Sequence, residues 1–184
     1  MAAHDRRAIS PEDFHHRLAT ETDLPAIAAV MERAIGLLQA GFLDADQIAE
    51  SRRVMGLDTQ LIADRTYILL MHGDRIAGCG GWSPRATLYG GDHSTALRDD
   101  RMLDPAIEPA RIRAMYTDPD FVRMGVGRRV LTLCEDAART AGFGSAEMMA
   151  TLAGKPLYAA CGYQVIERMT DTPVPLVRMA RRLV

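Results

Sequence analysis

The feature that most constrains this chain is an unbroken succession of strand, glycine turn and helix between Ile112 and Ala141. Apolar alternation at Ile112, Ala114 and Tyr116 predicts the strand, and Thr117 to Pro119 ends it. Gly125 and Gly127 then open the helix, where glycine lets the backbone approach a ligand closely and adopt dihedrals that a Cβ forbids. The first amides of a helix have no carbonyl partners, so they suit a phosphate. Arg123, Arg128 and Arg129 add positive charge around the same turn. Val130 stands where the dinucleotide fingerprint needs its third glycine, and no Gly-Lys-Ser/Thr follows for a P-loop. A nucleotide-dependent oxidoreductase or NTPase therefore fails. On spacing alone, a plain loop-to-helix turn and a phosphate cradle are equally good readings.

The 184 residues give room for one domain with a real core, and a single domain over residues 1–184 is expected. With 48% hydrophobic and 25% charged residues, the composition is that of a soluble globular protein. A formal charge of −2 and a sequence pI near 6.2 supply no field that would hold nucleic acid or an anionic membrane, so neither is expected as a partner. Lys155 is the only lysine, a bias we read as genome composition before function. No apolar run approaches the roughly 20 residues needed to cross a bilayer, and Met-Ala-Ala-His-Asp-Arg-Arg has no apolar signal core. A cytoplasmic location follows as the expectation. Cys79, Cys134 and Cys161 are odd in number, far apart and without metal-ligand spacing. They are expected to be buried, reduced thiols, with no disulfide and no metal site.

Along the chain, residues 1–13 are polar and expected to be loose, and Phe14 to Ala19 predicts a short strand. Thr20 to Asp23 caps a helix whose apolar face is Leu24, Ile27, Val30, Met31, Ala34, Ile35 and Leu38, with Pro25 in its first turn. Shorter helices are expected over 45–55 and 59–63. Residues 66–71 and 75–82 form a hairpin about His72-Gly73-Asp74. The glycines of its second arm mark either flexibility or the close approach of a ligand or a neighbouring backbone. From Ser83 to Pro109 the pattern dissolves, and a loop of that length is a candidate substrate lid. Trp82, Arg85 and Tyr89 near its start are candidate substrate-binding residues. The helix after the glycine turn carries Val130, Leu131, Cys134, Ala137, Ala138 and Ala141 on its apolar stripe, with Arg128, Glu135, Asp136 and Arg139 on its wetter side. A strand over 145–151, a short helix over 155–161 and two closing strands over 163–169 and 176–183 complete the chain.

These residues carry a family likeness. The run Ile112 to Val130, followed by Leu157-Tyr158-Ala159-Ala160-Cys161-Gly162-Tyr163, resembles the GNAT superfamily of acetyl-coenzyme A-dependent N-acetyltransferases. The opening His16 to Pro25 is similar to that family's first strand and helix, so the likeness spans nearly the whole chain. The family's pyrophosphate motif, Gln/Arg-x-x-Gly-x-Gly/Ala, falls on Val122, Arg123, Met124, Gly125, Val126 and Gly127, departing at Val122. Its second motif, Tyr-x-x-x-Gly-Phe/Tyr, is met by Tyr158, Gly162 and Tyr163. The resemblance implies an α/β fold of the α+β type: one GNAT-like domain, a mixed, mostly antiparallel sheet of six or seven strands flanked by helices, splayed at its central pair. It implies acetyl-coenzyme A as acetyl donor, held by Val122 to Arg128 and by main chain around Met115, Tyr116 and Thr117, and a family homodimer.

The implied reaction moves an acetyl group to a primary amine, in our reading that of a small molecule, through a tetrahedral intermediate. The matching family position makes Tyr158 the acid that protonates the departing thiolate. The amine must lose a proton, and Glu147 is the first candidate base, ahead of Asp92, His93 and Glu108. Asp92, Asp99 and Asp100 are further candidates to attract a cationic amine. The competing reading is a non-catalytic acyl-coenzyme A binding module on the same scaffold.

Overall fold

The computed structural model describes residues 9–170 and 172–183. The first eight residues of the stretch expected to be loose lie outside that range. Pro11–Asp13 is a 3-10 turn, its N-terminus capped by the side chain of Ser10. Strand β1 (Phe14–Leu18) leads into helix α1 (Leu24–Leu38), which begins just after the cap at Thr20 to Asp23 and carries Pro25 in its first turn. Helices α2 (Ala45–Val54) and α3 (Thr59–Ala63) follow, and then the hairpin β2 (Tyr67–His72) and β3 (Arg75–Ser83). After the long loop come β4 (Ala110–Thr117), α4 (Val126–Thr140), β5 (Ser145–Thr151), α5 (Lys155–Ala160), β6 (Gln164–Met169) and β7 (Leu176–Arg182).

The strands form one seven-stranded sheet in the order β1-β2-β3-β4-β5-β7-β6. Every neighbouring pair is antiparallel except β4 and β5, whose parallel pairing is made possible by the α4 crossover. One face packs on α4 through Val130, Leu131, Cys134 and Ala138, against Leu70, Ala77, Ile112 and Met148. The other packs on α1 and α3 through Ile27, Val30 and Leu61, against Leu69 and Cys79. Glu135, expected on the wet side of α4, is instead buried, because Arg181 of β7 reaches it at 3.3 Å. Cys79 and Cys134 are buried, whereas Cys161 is half-buried. Among the described residues no helix is long and apolar enough to cross a membrane.

Two departures from regular strand geometry position the site. The first is a bulge in β4: Gly81 pairs with Arg113 but Cys79 pairs with Tyr116, so Ala114 and Met115 together face Gly80. Ala114 takes a left-handed φ of 51°, and the hydroxyl of Tyr67 donates to its carbonyl at 2.9 Å. The bulge breaks the alternation read from the sequence: Ile112 packs on the α4 face, while Ala114 and Tyr116 pack on the opposite one. The second is the shortness of the β4–β5 pairing, which ends at Ile112 and Met148. Beyond it β4 continues alongside β3 and β5 alongside β7, so the two strands part.

Candidate active site

A cleft of about 710 Å³ is lined by the separated ends of both strands, Met115 to Thr117 on one side and Thr151 on the other. Its floor and mouth are the glycine turn, where Val122, Arg123, Gly125, Val126, Gly127 and Arg128 all line it. Gly125 precedes α4 with φ 78°, a conformation that strains any residue bearing a Cβ. The first helical bond runs from the Arg129 amide to the Gly125 carbonyl at 3.0 Å, so the amides of Val126, Gly127 and Arg128 precede the ladder. Gly127 serves a different need: a Cβ there would stand 2.8 Å from Leu157 of α5. Of the three arginines, Arg123 and Arg128 line the cleft, whereas Arg129 donates to the carbonyl of Pro11 at 2.7 Å.

A smaller cavity of about 90 Å³ shares Met115, Tyr116, Thr151 and Tyr158 with the cleft and extends to Tyr89, Gly90 and Arg113. Tyr158 therefore borders both spaces. Its ring meets Tyr163 edge-on at 6.2 Å between centroids, and its carbonyl accepts from the amides of Cys161 and Tyr163, both at 3.0 Å. Burial pushes its pKa well up, helped by Cys134 and Cys161, so the phenol stays protonated, as a proton donor must be. Tyr116 is held neutral by burial in the same way, with Cys79 and Tyr158 adding to the effect.

The family model for the acetyltransferase (GNAT) family matches residues 27–163, more than half of the chain and all of the elements that line the cleft except the first residues of α1. The chain belongs to the GNAT family. Membership carries the class of activity, acyl transfer, and its donor, acetyl-coenzyme A. The fold agrees with solved structures. The PaiA N-acetyltransferase of Thermoplasma acidophilum, in complex with coenzyme A, superposes with a TM-score of 0.64 at 13% identity, over 92% of this chain and 98% of that one. YncA of Salmonella typhimurium, with its cofactor acetyl-CoA, gives 0.59 at 17% identity, over 94% and 95%. A GCN5-related N-acetyltransferase of Rhodopseudomonas palustris gives 0.65 at 16% identity, over 91% and 94%. At these identities the likeness concerns the fold. Comparison with curated proteins finds no match.

Within this GNAT fold the candidates read from the sequence separate. Tyr158 and the residues 115–117 and 122–128 gather at the cleft, except that Met124 lies on the outer side of the turn, in a separate groove with Phe14 and Leu133. Tyr89 reaches the smaller cavity. Trp82 packs edge-on against Phe143 at 6.0 Å on the α4 side of the sheet, and Arg85 is bound to Asp64 at 2.7 Å. Neither lines the cleft or the smaller cavity. Glu147 is buried between Arg111 and Arg178, each at 2.7 Å, and also lines neither space. Asp92 caps α3 by accepting from the Thr59 amide at 3.0 Å and pairs with Arg98 at 2.7 Å. His93 bonds the carbonyl of Arg53. Glu108 holds Arg101 at 2.8 Å, which draws its pKa down to about 2.

Reasoning from sequence missed Met55, Thr151 and Arg113. The signal for Arg113 was available, since an arginine in the middle of a central strand must be paired. Its partner is Asp58, 2.7 Å away and equally buried. Arg113 also donates to the carbonyl of Gly90 at 2.7 Å, which fixes the long loop over the cavity.

Proposed function

We propose that this GNAT protein transfers the acetyl group of acetyl-coenzyme A directly to a primary amine of a small molecule. The observation that carries the reading is the position of Tyr158, a neutral phenol bordering both the large cleft and the smaller cavity. Acetyl-coenzyme A supplies the activated thioester. The amides of Val126 to Arg128, flanked by Arg123 and Arg128, receive the diphosphate at the mouth of the cleft. Main chain at Met115 and Thr117, left without β5 as a neighbour, takes the extended arm. The amine enters by the smaller cavity under Tyr89, and Tyr158 gives its proton to the departing sulfur.

The reading is tested by following thiol release from acetyl-coenzyme A with a panel of small amines, alongside calorimetry of coenzyme A binding. Saturable thiol release with at least one amine is the expected result. Tight coenzyme A binding with no turnover on any amine would favour the non-catalytic module instead.

A further inference from the structure

The lining of the two spaces, which have Met55, Met115, Tyr116, Thr151 and Tyr158 in common, has a consistent chemistry. Among the described residues, every charged side chain that borders either one is an arginine: Arg113 in the smaller cavity, Arg123 and Arg128 at the mouth of the cleft. The other groups there able to titrate are the phenols of Tyr89, Tyr116 and Tyr158. Carboxylates close in sequence to the lining residues are already engaged, Asp118 and Asp120 beside Thr117 and Phe121 by Arg33 and Arg75. Asp58 serves Arg113 and Arg98, Asp92 serves Arg98 and the α3 amide, and Glu147 serves Arg111 and Arg178. The rest of the smaller cavity's wall is uncharged and mixed, with main chain at Gly56 and Gly90 and the side chain of Thr151 beside the flexible thioethers of Met55, Met115, Met148 and Met149.

An alkylammonium would meet no counter-charge in such a space and would leave its hydration behind. A lysine-like amine of pKa about 10.4 also has to shed a proton worth about 4.6 kcal/mol at pH 7, and none of the side chains bordering the cavities is poised to take it. Resting on the acetyl-transfer reading above, we infer that the acceptor is a weakly basic amine on a body without positive charge, admitted only in its neutral form. The reaction then closes with no protein base other than Tyr158, which gives a proton and regains one. The nitrogen lone pair forms the C–N bond, the C–S bond breaks with its electron pair on sulfur, and sulfur takes the proton of Tyr158. The proton shed by nitrogen restores the phenol, so amine and thioester become amide and thiol with no net proton exchanged.

The test measures kcat/KM for thiol release between pH 6 and 10 with three probes: an aromatic amine, an amino-acid amide with an α-amino pKa of about 7.8, and a lysine-like alkylamine of about 10.4. The aromatic amine is expected to give a flat line, the amino-acid amide to rise about tenfold per pH unit and level off near its own pKa, and the alkylamine to rise across the whole range. A single inflection shared by all three would show that a protein group takes the proton, and would overturn the inference while leaving acetyl transfer intact. Absence of thiol release with every probe would instead count against the acetyl-transfer reading. A second readout, calorimetry of the amino-acid amide binding to the protein loaded with coenzyme A, should show affinity rising about tenfold per unit below pH 7.8. Affinity independent of pH, or falling as pH rises, would mean that the ammonium is what binds.

Discussion

Tyr158 and Gly154 act as one device. A Cβ on Gly154 would stand 2.8 Å from Cε2 of Tyr158, so the absence of a side chain at the start of α5 is what lets the ring lie where it does. Tyr158→Phe is expected to lower kcat about 10²-fold with unchanged thermal melting, toward the modest end for a general acid because a thiolate of pKa about 8.5 already leaves well. Gly154→Ala should lower kcat through displacement of the ring, while leaving coenzyme A affinity measured by calorimetry close to wild type. Gly125→Ala isolates a different cause. No atom lies within 4 Å of a Cβ placed there, so only the left-handed φ is penalised, and denaturant unfolding should register a loss of about 1 kcal/mol. The conformation of the glycine turn and the place of Tyr158 on α5 were legible in the sequence because they depend on local backbone and short spacing. Glu135 and Glu147 were not, because Arg181 and Arg178, which bury them, come from a strand distant in sequence.

The boundaries of α1, α3 and β5 follow from caps and periodicity, and the sequence delivered them closely. The β4 bulge escaped it. Alternating letters look the same whether or not the partner strand skips a residue, and here the choice is made by Gly80, whose missing side chain admits Met115. The other β3 glycines also make room for close neighbours: a Cβ on Gly78 would stand 2.4 Å from Cγ1 of Val126 and 3.1 Å from the Tyr116 carbonyl. The bulge is held from β2 by the Tyr67 hydroxyl. Tyr67→Phe should cost about 1–2 kcal/mol in urea unfolding, since the half-buried Ala114 carbonyl loses its donor. It should also raise the KM for acetyl-coenzyme A, because the strand that borders the cleft is no longer pinned.

At the scale of the molecule, the long loop read as a candidate substrate lid is tied to its neighbours by charge. Arg98 binds Asp58 and Asp92, Arg113 binds Asp58, and Arg85 binds Asp64. Asp58→Asn strips the buried Arg113 of its counter-ion and is expected to cost about 3–5 kcal/mol by chemical denaturation. Two pairs nearer the surface govern acid behaviour. Arg17 holds Asp23 well below the usual carboxylate range, and Arg85 does the same for Asp64. Their contribution is therefore complete above the unfolded carboxylate value of about 3.9 and is lost as pH falls from there through the lower folded values. The urea midpoint should drop below about pH 4, and Arg85→Met should flatten that limb.

The parallel seam between β4 and β5 is three residue pairs long. Two half-sheets thus share a joint that the protein's own backbone cannot zip shut, and a guest laid into the gap would complete it. Occupancy and heat resistance would then be two measures of a single quantity. Coenzyme A at a hundred times its dissociation constant should add about 2.7 kcal/mol. For a chain of this size that lifts the melting temperature by about 5–11 °C.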